Sequence, residues 1–225
     1  KNVLSQEKRL KKEAENLTEI PQDMDAIQLF FSEIKLLPAS KILLSWEKKL
    51  LPTGQTISLQ IRGRDKLVIT GKNGIGKTRL LKLLLQDLQA RPDLSVGYMP
   101  QHYEEEFEVQ STPLSFLASE ADEEKARTLL ASLKFTRQEV VHSLHDLSGG
   151  QKAKLFLARM VLAGNDVLVL DEPTRHFSPT SLPLIRQLLM DYPGAIISVS
   201  HDRRFIEEVA TIHYQLDEES LLRIR

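Results

Sequence analysis

The feature that most constrains this chain is the segment GKNGIGKT at residues 71–78, which fits the pattern G-x-x-x-x-G-K-[ST]. An apolar stretch at residues 67–70 precedes it and a leucine-rich stretch follows, so we predict a strand, a phosphate-binding loop and a helix. Backbone N–H groups of such a loop point at phosphate oxygens. We expect Lys77 to reach the β- and γ-phosphates and Thr78 to offer its hydroxyl to Mg²⁺. The predicted nucleotide-binding residues are Gly71, Lys72, Asn73, Gly74, Ile75, Gly76, Lys77 and Thr78.

Length and composition fit one nucleotide-binding α/β domain. The chain has 225 residues, enough to bury a full core, and its net charge of −1 argues against a surface dominated by nucleic-acid contacts. It has no cysteine, no apolar run of about 18 residues and no charged-then-apolar leader. These absences predict a cytoplasmic protein without a membrane span. Because Lys1 stands in a helix-permissive stretch, we also expect this sequence to be a fragment of a longer chain.

The first part of the chain divides into a charged segment and a β-rich segment. Between Lys1 and Lys12, five basic residues face one acid, and the few large apolar residues cannot bury much surface. We therefore predict that residues 1–22 end a charged, locally basic linker helix, with an ordinary solvated helix as the alternative. Residues 23–225 form the predicted domain. Residues 26–31, 41–46 and 56–61 are rich in branched and aromatic side chains and predict an antiparallel β flank.

The rest of the chain alternates between strands and helices. We predict strands at residues 67–70, 95–99, 167–170, 195–199, 212–216 and 221–224, and helices at 78–90, 149–162 and 182–190. Residues at about 112–150 have a helical pattern and predict an inserted helical lobe, with Ser148 as the N-cap of the apolar helix that follows. The order indicates an α/β fold with a mainly parallel, doubly wound sheet and helices on both faces.

Five motifs in this order resemble those of an ATP-binding-cassette (ABC) nucleotide-binding domain, which is a P-loop NTPase. They are GKNGIGKT at 71–78, Gln101, LSGGQ at 147–151, LVLDEP at 168–173 and His201. The resemblance spans nearly the whole chain. It implies an ATPase that uses ATP and Mg²⁺, and it assigns a role to the polar residues at the ends of the predicted strands.

Two adjacent carboxylates at the end of a buried strand carry the chemistry that the resemblance implies. Asp171 resembles the Walker B aspartate that holds Mg²⁺, and Glu172 resembles the carboxylate that polarises the attacking water. Burying two adjacent acids is costly unless a cation receives them. Gln101 resembles the residue that joins the Mg²⁺ and water shell, and His201 the residue that contacts the γ-phosphate. The implied catalytic residues are Glu172, His201 and Gln101, and the implied metal-site residues are Thr78, Asp171 and Gln101.

The LSGGQ segment resembles the signature that binds ATP held by a different cassette, so it implies a second ABC cassette arranged head to tail. Its predicted nucleotide-binding residues are Ser148, Gly149, Gly150 and Gln151. Trp46 is the best aromatic candidate for stacking on adenine, although its spacing is slightly long, and a core tryptophan on a strand is the alternative. His142 and His145 have no evident third ligand and are expected on the surface.

Three features resemble the ABC-F branch, soluble twin-cassette proteins that act on the ribosome. The first is the charged helix before the P-loop cassette. The second is the pair of segments VGYMPQ at 96–101, with the acidic run after it, and LSGGQKAKL at 147–155. The third is EPTRHFSP at 172–179. The last resembles the ABC-F variant that protects ribosomes from antibiotics, although Ser178 replaces the usual D-loop aspartate. The resemblance implies the second, C-terminal cassette, a translation or antibiotic-resistance role, and contacts with ribosomal RNA or tRNA. The ATP-hydrolysing subunit of an ABC membrane transporter is the alternative, and a chromosome-maintenance ATPase is a third.

Overall fold

The structure is a computed structural model that describes residues 34, 36–108, 111–120 and 122–225. The basic helix predicted within residues 1–22 and the strand predicted at 26–31 lie outside the described residues.

The described elements follow the predicted alternation of strands and helices. The strands are β1 (Ile42–Leu50), β2 (Thr56–Arg62), β3 (Lys66–Thr70), β4 (Val96–Met99), β5 (Val167–Asp171), β6 (Ala195–Val199), β7 (Ile212–Leu216) and β8 (Leu221–Arg223). The α-helices are α1 (Lys77–Gln89), α2 (Pro113–Ala118), α3 (Glu123–Ser132), α4 (Gly149–Leu162), α5 (Leu182–Asp191) and α6 (Arg203–Glu208). Short 3₁₀ turns lie at Tyr103–Glu106, Glu139–Val141 and Leu144–Asp146.

A mostly parallel sheet organises the domain and is covered on both faces. Within the described residues its order is β4-β5-β6-β3-β7-β8, and only the β7–β8 pair is antiparallel. Side chains alternate between the faces of a strand. Leu168 and Leu170 of β5 therefore join the core that contains α4 and the helical lobe, whereas Val167 and Val169 join the core that contains α1 and β1–β2. The α/β architecture with helices on both faces is confirmed.

The structure refines the predicted flank and helical lobe. Strands β1 and β2 pair antiparallel, but within the described part of the chain they form a separate two-stranded sheet and do not extend the main one. The predicted helical stretch is divided into α2, α3 and two 3₁₀ turns. Thr136 and Glu139 exchange the hydrogen bonds of a capping box before one of these turns, with Thr136 N to Glu139 Oε2 at 2.8 Å and Glu139 N to Thr136 Oγ1 at 3.3 Å.

Helix α6 was not predicted from the sequence. It has six residues and is too short to produce a clear apolar period. Its signal is the cap: Asp202 Oδ1 accepts from the backbone N–H groups of Arg204 and Phe205, at 3.0 and 3.3 Å. An aspartate three residues beyond the end of a buried strand is therefore the sequence feature that marks this helix.

Candidate functional site

The predicted catalytic residues meet in a cavity of about 630 Å³ at the carboxyl ends of β3, β5 and β6. This is the edge of an open α/β sheet where ligands commonly bind. The cavity is lined by Asn73, Gly74, Gly76, Lys77, Thr78, Arg79, Gln101, Asp171, Glu172, Arg175, Val199 and His201.

The phosphate-binding loop has the tight backbone that its glycines predict. Gly71 has φ +152° and Gly76 has φ +104°, both in the region that L side chains rarely adopt. At Gly71 a Cβ atom would lie only 2.5 Å from the carbonyl oxygen of Leu216, so a larger residue would also collide with the backbone of β7. Lys77 begins α1, and its Nζ donates to the carbonyl oxygens of Gly71 and Lys72 at 2.8 and 2.9 Å. The loop therefore wraps around the Lys77 ammonium group.

The end of β5 directs two carboxylates to the cavity by an unusual backbone turn. Asp171 is the last residue of β5, and Glu172 follows it with φ +54°, a left-handed conformation that is costly for a residue with a Cβ. The N–H of Glu172 donates to the carbonyl oxygen of Val199 at the end of β6, at 2.9 Å. This bond holds the strained turn between the two neighbouring strand ends.

Asp171 is a suitable ligand for a divalent cation. Its side chain is buried, and among the described residues neither carboxylate oxygen has a hydrogen-bond partner of normal geometry. Burial raises the pKa of the Asp171 carboxyl, although the nearby Thr78 hydroxyl and the Lys82 and Lys77 ammonium groups act in the opposite direction. An unpaired buried carboxylate is unfavourable unless a cation binds it. Asp171 and Thr78 therefore fit Mg²⁺, which prefers oxygen ligands and keeps several waters.

Glu172 and His201 face each other across the ends of β5 and β6. Glu172 Oε2 accepts a 3.3 Å hydrogen bond from the backbone N–H of His201, and Glu172 Oε1 lies 3.6 Å from His201 Nε2. The Glu172 side chain is 14% exposed, whereas that of His201 is 50% exposed. Burial raises the pKa of Glu172, and His201 limits that rise. A carboxylate with a raised pKa at a cavity wall is suited to accept a proton.

The predicted signature lies apart from this cavity. Ser148 is the N-cap of α4: its Oγ accepts from the backbone N–H of Gln151, and Gln151 Oε1 accepts from the backbone N–H of Ser148. The other end of the Gln151 amide donates to Glu139 Oε1 at 2.8 Å. Both ends of the Gln151 side chain are therefore engaged within the lobe. Nucleotide contacts by Ser148, Gly149, Gly150 and Gln151 stay a prediction.

The structure does not support the predicted stacking of Trp46 on adenine. Trp46 is only 7% exposed, and its indole N–H donates to Asp87 Oδ2 at 2.7 Å. Asp87 lies ten residues beyond Lys77 in α1, which corresponds to about 15 Å along the helix axis. Lys49 Nζ covers the ring at 3.9 Å from its centroid. Trp46 is therefore a core tryptophan, which was the alternative in the sequence analysis. Its side chain points from β1 toward α1 and does not line the cavity.

Two arginines of the cavity were not identified as site residues from the sequence. Arg79 lies in the first turn of α1, and Arg175 follows Glu172 by three residues. The sequence feature that could have pointed to Arg175 is the segment at residues 172–179. This segment contains Arg175 and also differs from the usual family pattern at Ser178, the D-loop position. There Ser178 Oγ lies 2.9 Å from Thr180 Oγ1 and 2.8 Å from Ser181 Oγ, so this serine serves a local turn before α5.

The fold and the cavity define a P-loop nucleotide-binding domain whose cavity contains a buried aspartate and a neighbouring glutamate. Comparison with known proteins makes the class specific: the sequence profile described as "ABC transporter" matches residues 54–175, more than half of the chain. The chain therefore belongs to the ABC transporter family and is one of its ATP-binding cassettes. No helix in the described part of the chain combines the length and apolar character needed to cross a membrane.

Similar proteins include members of sub-family F. The chain is 34% identical over 173 residues to the probable ATP-binding protein YbiT of Escherichia coli O157:H7, covering 71% of this chain and 32% of that protein. It is 38% identical over 169 residues to the putative ATP-binding protein YdiF of Bacillus subtilis strain 168, covering 69% and 26%. Human ATP-binding cassette sub-family F member 3 is 33% identical over 155 residues, covering 64% and 22%. The chain thus spans about a third or less of these relatives.

Solved ABC structures share the fold at low sequence identity. A dimeric post-hydrolysis state of the ATP-binding cassette MJ0796 bound to ADP and Pi has a TM-score of 0.64 and 18% identity, covering 85% of this chain and 98% of that one. A bacterial Atm1-family ABC exporter with ATP bound also has a TM-score of 0.64, at 16% identity, covering 85% and 40%. At these identities the likeness concerns the fold alone.

Proposed function

We propose that this cassette binds Mg²⁺-ATP in the P-loop cavity and hydrolyses it to ADP and phosphate. The observation that carries the proposal is the buried Asp171 carboxylate, which has no hydrogen-bond partner of normal geometry among the described residues and lies beside Lys77, Thr78 and Glu172. Such an arrangement is unfavourable in the empty domain and becomes favourable when a cation and a polyanion enter together. MJ0796, which has the same fold, was solved with ADP and Pi bound.

Each residue of the cavity has a distinct task in this mechanism. The backbone N–H groups of the loop and the Lys77 ammonium group hold the phosphates. Asp171 and Thr78 would hold Mg²⁺, which would supply positive charge to the phosphate oxygens. Glu172 accepts a proton from the attacking water while the water oxygen bonds to the γ-phosphorus and the β,γ-bridging P–O bond breaks. Gln101 and His201 orient the water and the γ-phosphate.

A second cassette is part of the proposal because the signature has no task in the cavity of its own chain. Ser148, Gly149 and Gly150 form the N-terminus of α4, whose free N–H groups favour an anion, yet none of them lines the P-loop cavity. The cassette MJ0796 was solved in dimeric forms. We therefore place the signature of each cassette against the ATP of the other, in a head-to-tail pair.

The isolated chain should bind Mg²⁺-ATP readily and hydrolyse it slowly, with a specific rate that rises with protein concentration. The reason is that a complete site would need the signature of a second copy. Binding is measured by calorimetric titration and turnover by phosphate release across a range of protein concentrations. Fast turnover that does not depend on concentration would contradict the shared site, whereas absence of ATP binding would contradict the function itself.

The proposed setting is a cytoplasmic, twin-cassette ABC-F protein that acts on the ribosome, of which this chain is the second cassette. Similarity to human ATP-binding cassette sub-family F member 3 supports the branch. The basic cluster consists of Lys8, Arg9, Lys11 and Lys12. It supports a nucleic-acid partner, because four neighbouring positive charges can neutralise RNA phosphates. The proposed role as a translation or antibiotic-resistance factor concerns the full-length protein, of which this cassette is one part.

Removing the basic cluster should weaken ribosome binding and flatten its salt dependence. Each lost phosphate contact should reduce the log–log salt slope by about 0.7 to 0.9. The measurement is ribosome co-sedimentation of the full-length protein in the presence of ATP, across a salt series, with hydrolysis blocked. The four changes replace basic residues with glutamine: Lys8→Gln, Arg9→Gln, Lys11→Gln and Lys12→Gln.

The matched control removes the same number of positive charges from exposed positions of the described domain. Its substitutions are Lys48→Gln, Arg62→Gln, Lys134→Gln and Arg137→Gln. It should change binding less than the cluster variant, because only long-range charge is lost. Equal effects of both variants, or no effect of either, would contradict a direct contact by the cluster. Failure of the parent protein to bind ribosomes would instead favour the transporter subunit.

A further inference from the structure

Arg175 has an unusual position for an exposed arginine. Its backbone N–H donates to the carbonyl oxygen of Glu172 at 3.1 Å, closing a turn immediately after the strained residue. Its side chain is exposed and lines the P-loop cavity together with Lys77, Gln101 and His201. The turn therefore brings a guanidinium group to the wall of the cavity that also carries the two carboxylates.

The Arg175 guanidinium has no protein partner within the described residues. None of its N–H groups forms a hydrogen bond or an ion pair there, and Glu172 is paired with His201 instead. Several other arginines of the domain are held by carboxylates. These pairs are Arg91–Asp93, Arg127–Glu123, Arg159–Glu120 and Arg186–Glu208.

A further cation in the cavity would stabilise bound ATP. Lys77 has three N–H donors, and two of them already reach the carbonyl oxygens of Gly71 and Lys72. In that arrangement one donor remains for a phosphate oxygen. Mg²⁺ would offset the Asp171 carboxylate, but the Glu172 carboxylate faces the same space and repels the triphosphate. A guanidinium with five donors in a planar fork is well suited to supply the missing positive charge and to bind phosphate oxygens in pairs.

We propose that Arg175 binds the terminal phosphate of ATP as a further catalytic residue of this cassette. The choice of the terminal phosphate follows from its neighbours, since Arg175 enters from the segment that carries Glu172, the proposed base. Arg79 belongs to a different element, the first turn of α1 beside the loop. This inference rests on the proposed function, because it assigns a role within the same nucleotide site.

The test compares Arg175→Gln with Arg79→Gln, which removes the same charge from the same cavity. Mg²⁺-ATP and Mg²⁺-ADP are titrated calorimetrically into each variant of the 225-residue chain, all carrying Glu172→Gln to prevent hydrolysis. We expect Arg175→Gln to weaken ATP binding about tenfold or more and ADP binding far less, because a charge-assisted contact to the γ-phosphate is lost. Arg79→Gln should not distinguish ATP from ADP. Arg175→Lys should be intermediate, because an ammonium group cannot bind in the same forked manner.

The outcomes separate this inference from the proposed function. Unchanged ATP binding by Arg175→Gln, or equal losses for ATP and ADP, would overturn the contact to the terminal phosphate. A loss of ATP selectivity in Arg79→Gln as well would show that only the net charge of the cavity matters, which also overturns it. If the Glu172→Gln parent binds no ATP, the proposed function has failed instead. Thermal unfolding of each variant checks the fold, which an exposed side chain should not disturb.

Discussion

Replacing Glu172 with glutamine is expected to preserve ATP binding and to slow hydrolysis by about a hundredfold or more, the usual effect of removing a general base. The amide has nearly the shape of the carboxylate and can keep the hydrogen bond from the backbone N–H of His201 through its carbonyl oxygen. It cannot accept the proton of the attacking water. The left-handed backbone at Glu172 is retained, so the strand ends should keep their arrangement.

The measurement combines ATP titration with phosphate release under single-turnover conditions, in the full-length protein. Glu207→Gln is the matched control, since Glu207 is an exposed residue of α6 and has no place in the cavity. The Glu172 variant should accumulate an ATP-bound form that the control does not. Hydrolysis by Glu172→Gln at the parental rate would show that another group acts as the base.

The pH dependence of the parent should identify the same residue. Burial raises the pKa of Glu172, and the base must be ionised to accept a proton. Hydrolysis should therefore decline on acidification at a higher pH than that of an ordinary glutamate. Glu172→Gln should lose the part of this decline that belongs to Glu172, and any decline that remains would report on Asp171, because burial raises the pKa of that carboxyl too.

The conformations that could be predicted from the sequence are those of segments in which local sequence specifies the backbone. Gly71 and Gly76 adopt backbone conformations that favour glycine, so the loop pattern specifies its own shape. Strand β5 is apolar throughout, and an abrupt change to Asp171 and Glu172 marks its carboxyl end. Parallel strands with helical crossovers align their carboxyl ends at one edge, which brings these acids to the loop.

The parts that the sequence did not predict depend on tertiary packing. Trp46 has an aromatic ring that could stack on adenine, but its orientation depends on how β1 and β2 pack against α1. It also depends on the hydrogen bond to Asp87, which is 41 residues away in the sequence. The separation of β1–β2 from the main sheet likewise depends on long-range pairing, which local periodicity does not contain. Arg175 lines the cavity because of the turn that follows Glu172. The local sequence pattern does not predict which way this turn directs the side chain.

Replacing Lys77 with alanine should reduce ATP affinity by about two orders of magnitude or more. A charge-assisted hydrogen bond contributes about 1.5 to 3 kcal/mol, and the Lys77 ammonium group also attracts the β- and γ-phosphates through its charge while its remaining N–H donor bonds a phosphate oxygen. The carboxylates of Asp171 and Glu172 would then face the phosphates without this cation. Calorimetric titration of Mg²⁺-ATP measures the loss, and phosphate release should fall with it.

Comparison of three variants separates the charge of Lys77 from its support of the loop. Lys77 Nζ also holds the carbonyl oxygens of Gly71 and Lys72, so alanine removes both effects, whereas Lys77→Gln retains neutral donors that can still bond those carbonyls. Lys72→Ala is the control, because Lys72 serves the site through its backbone and its side chain does not line the cavity. If the phosphate charge contact dominates, Lys77→Gln should bind ATP nearly as weakly as Lys77→Ala, and Lys72→Ala should resemble the parent. Affinity restored by Lys77→Gln would mean that Lys77 acts mainly by holding the loop in its binding conformation.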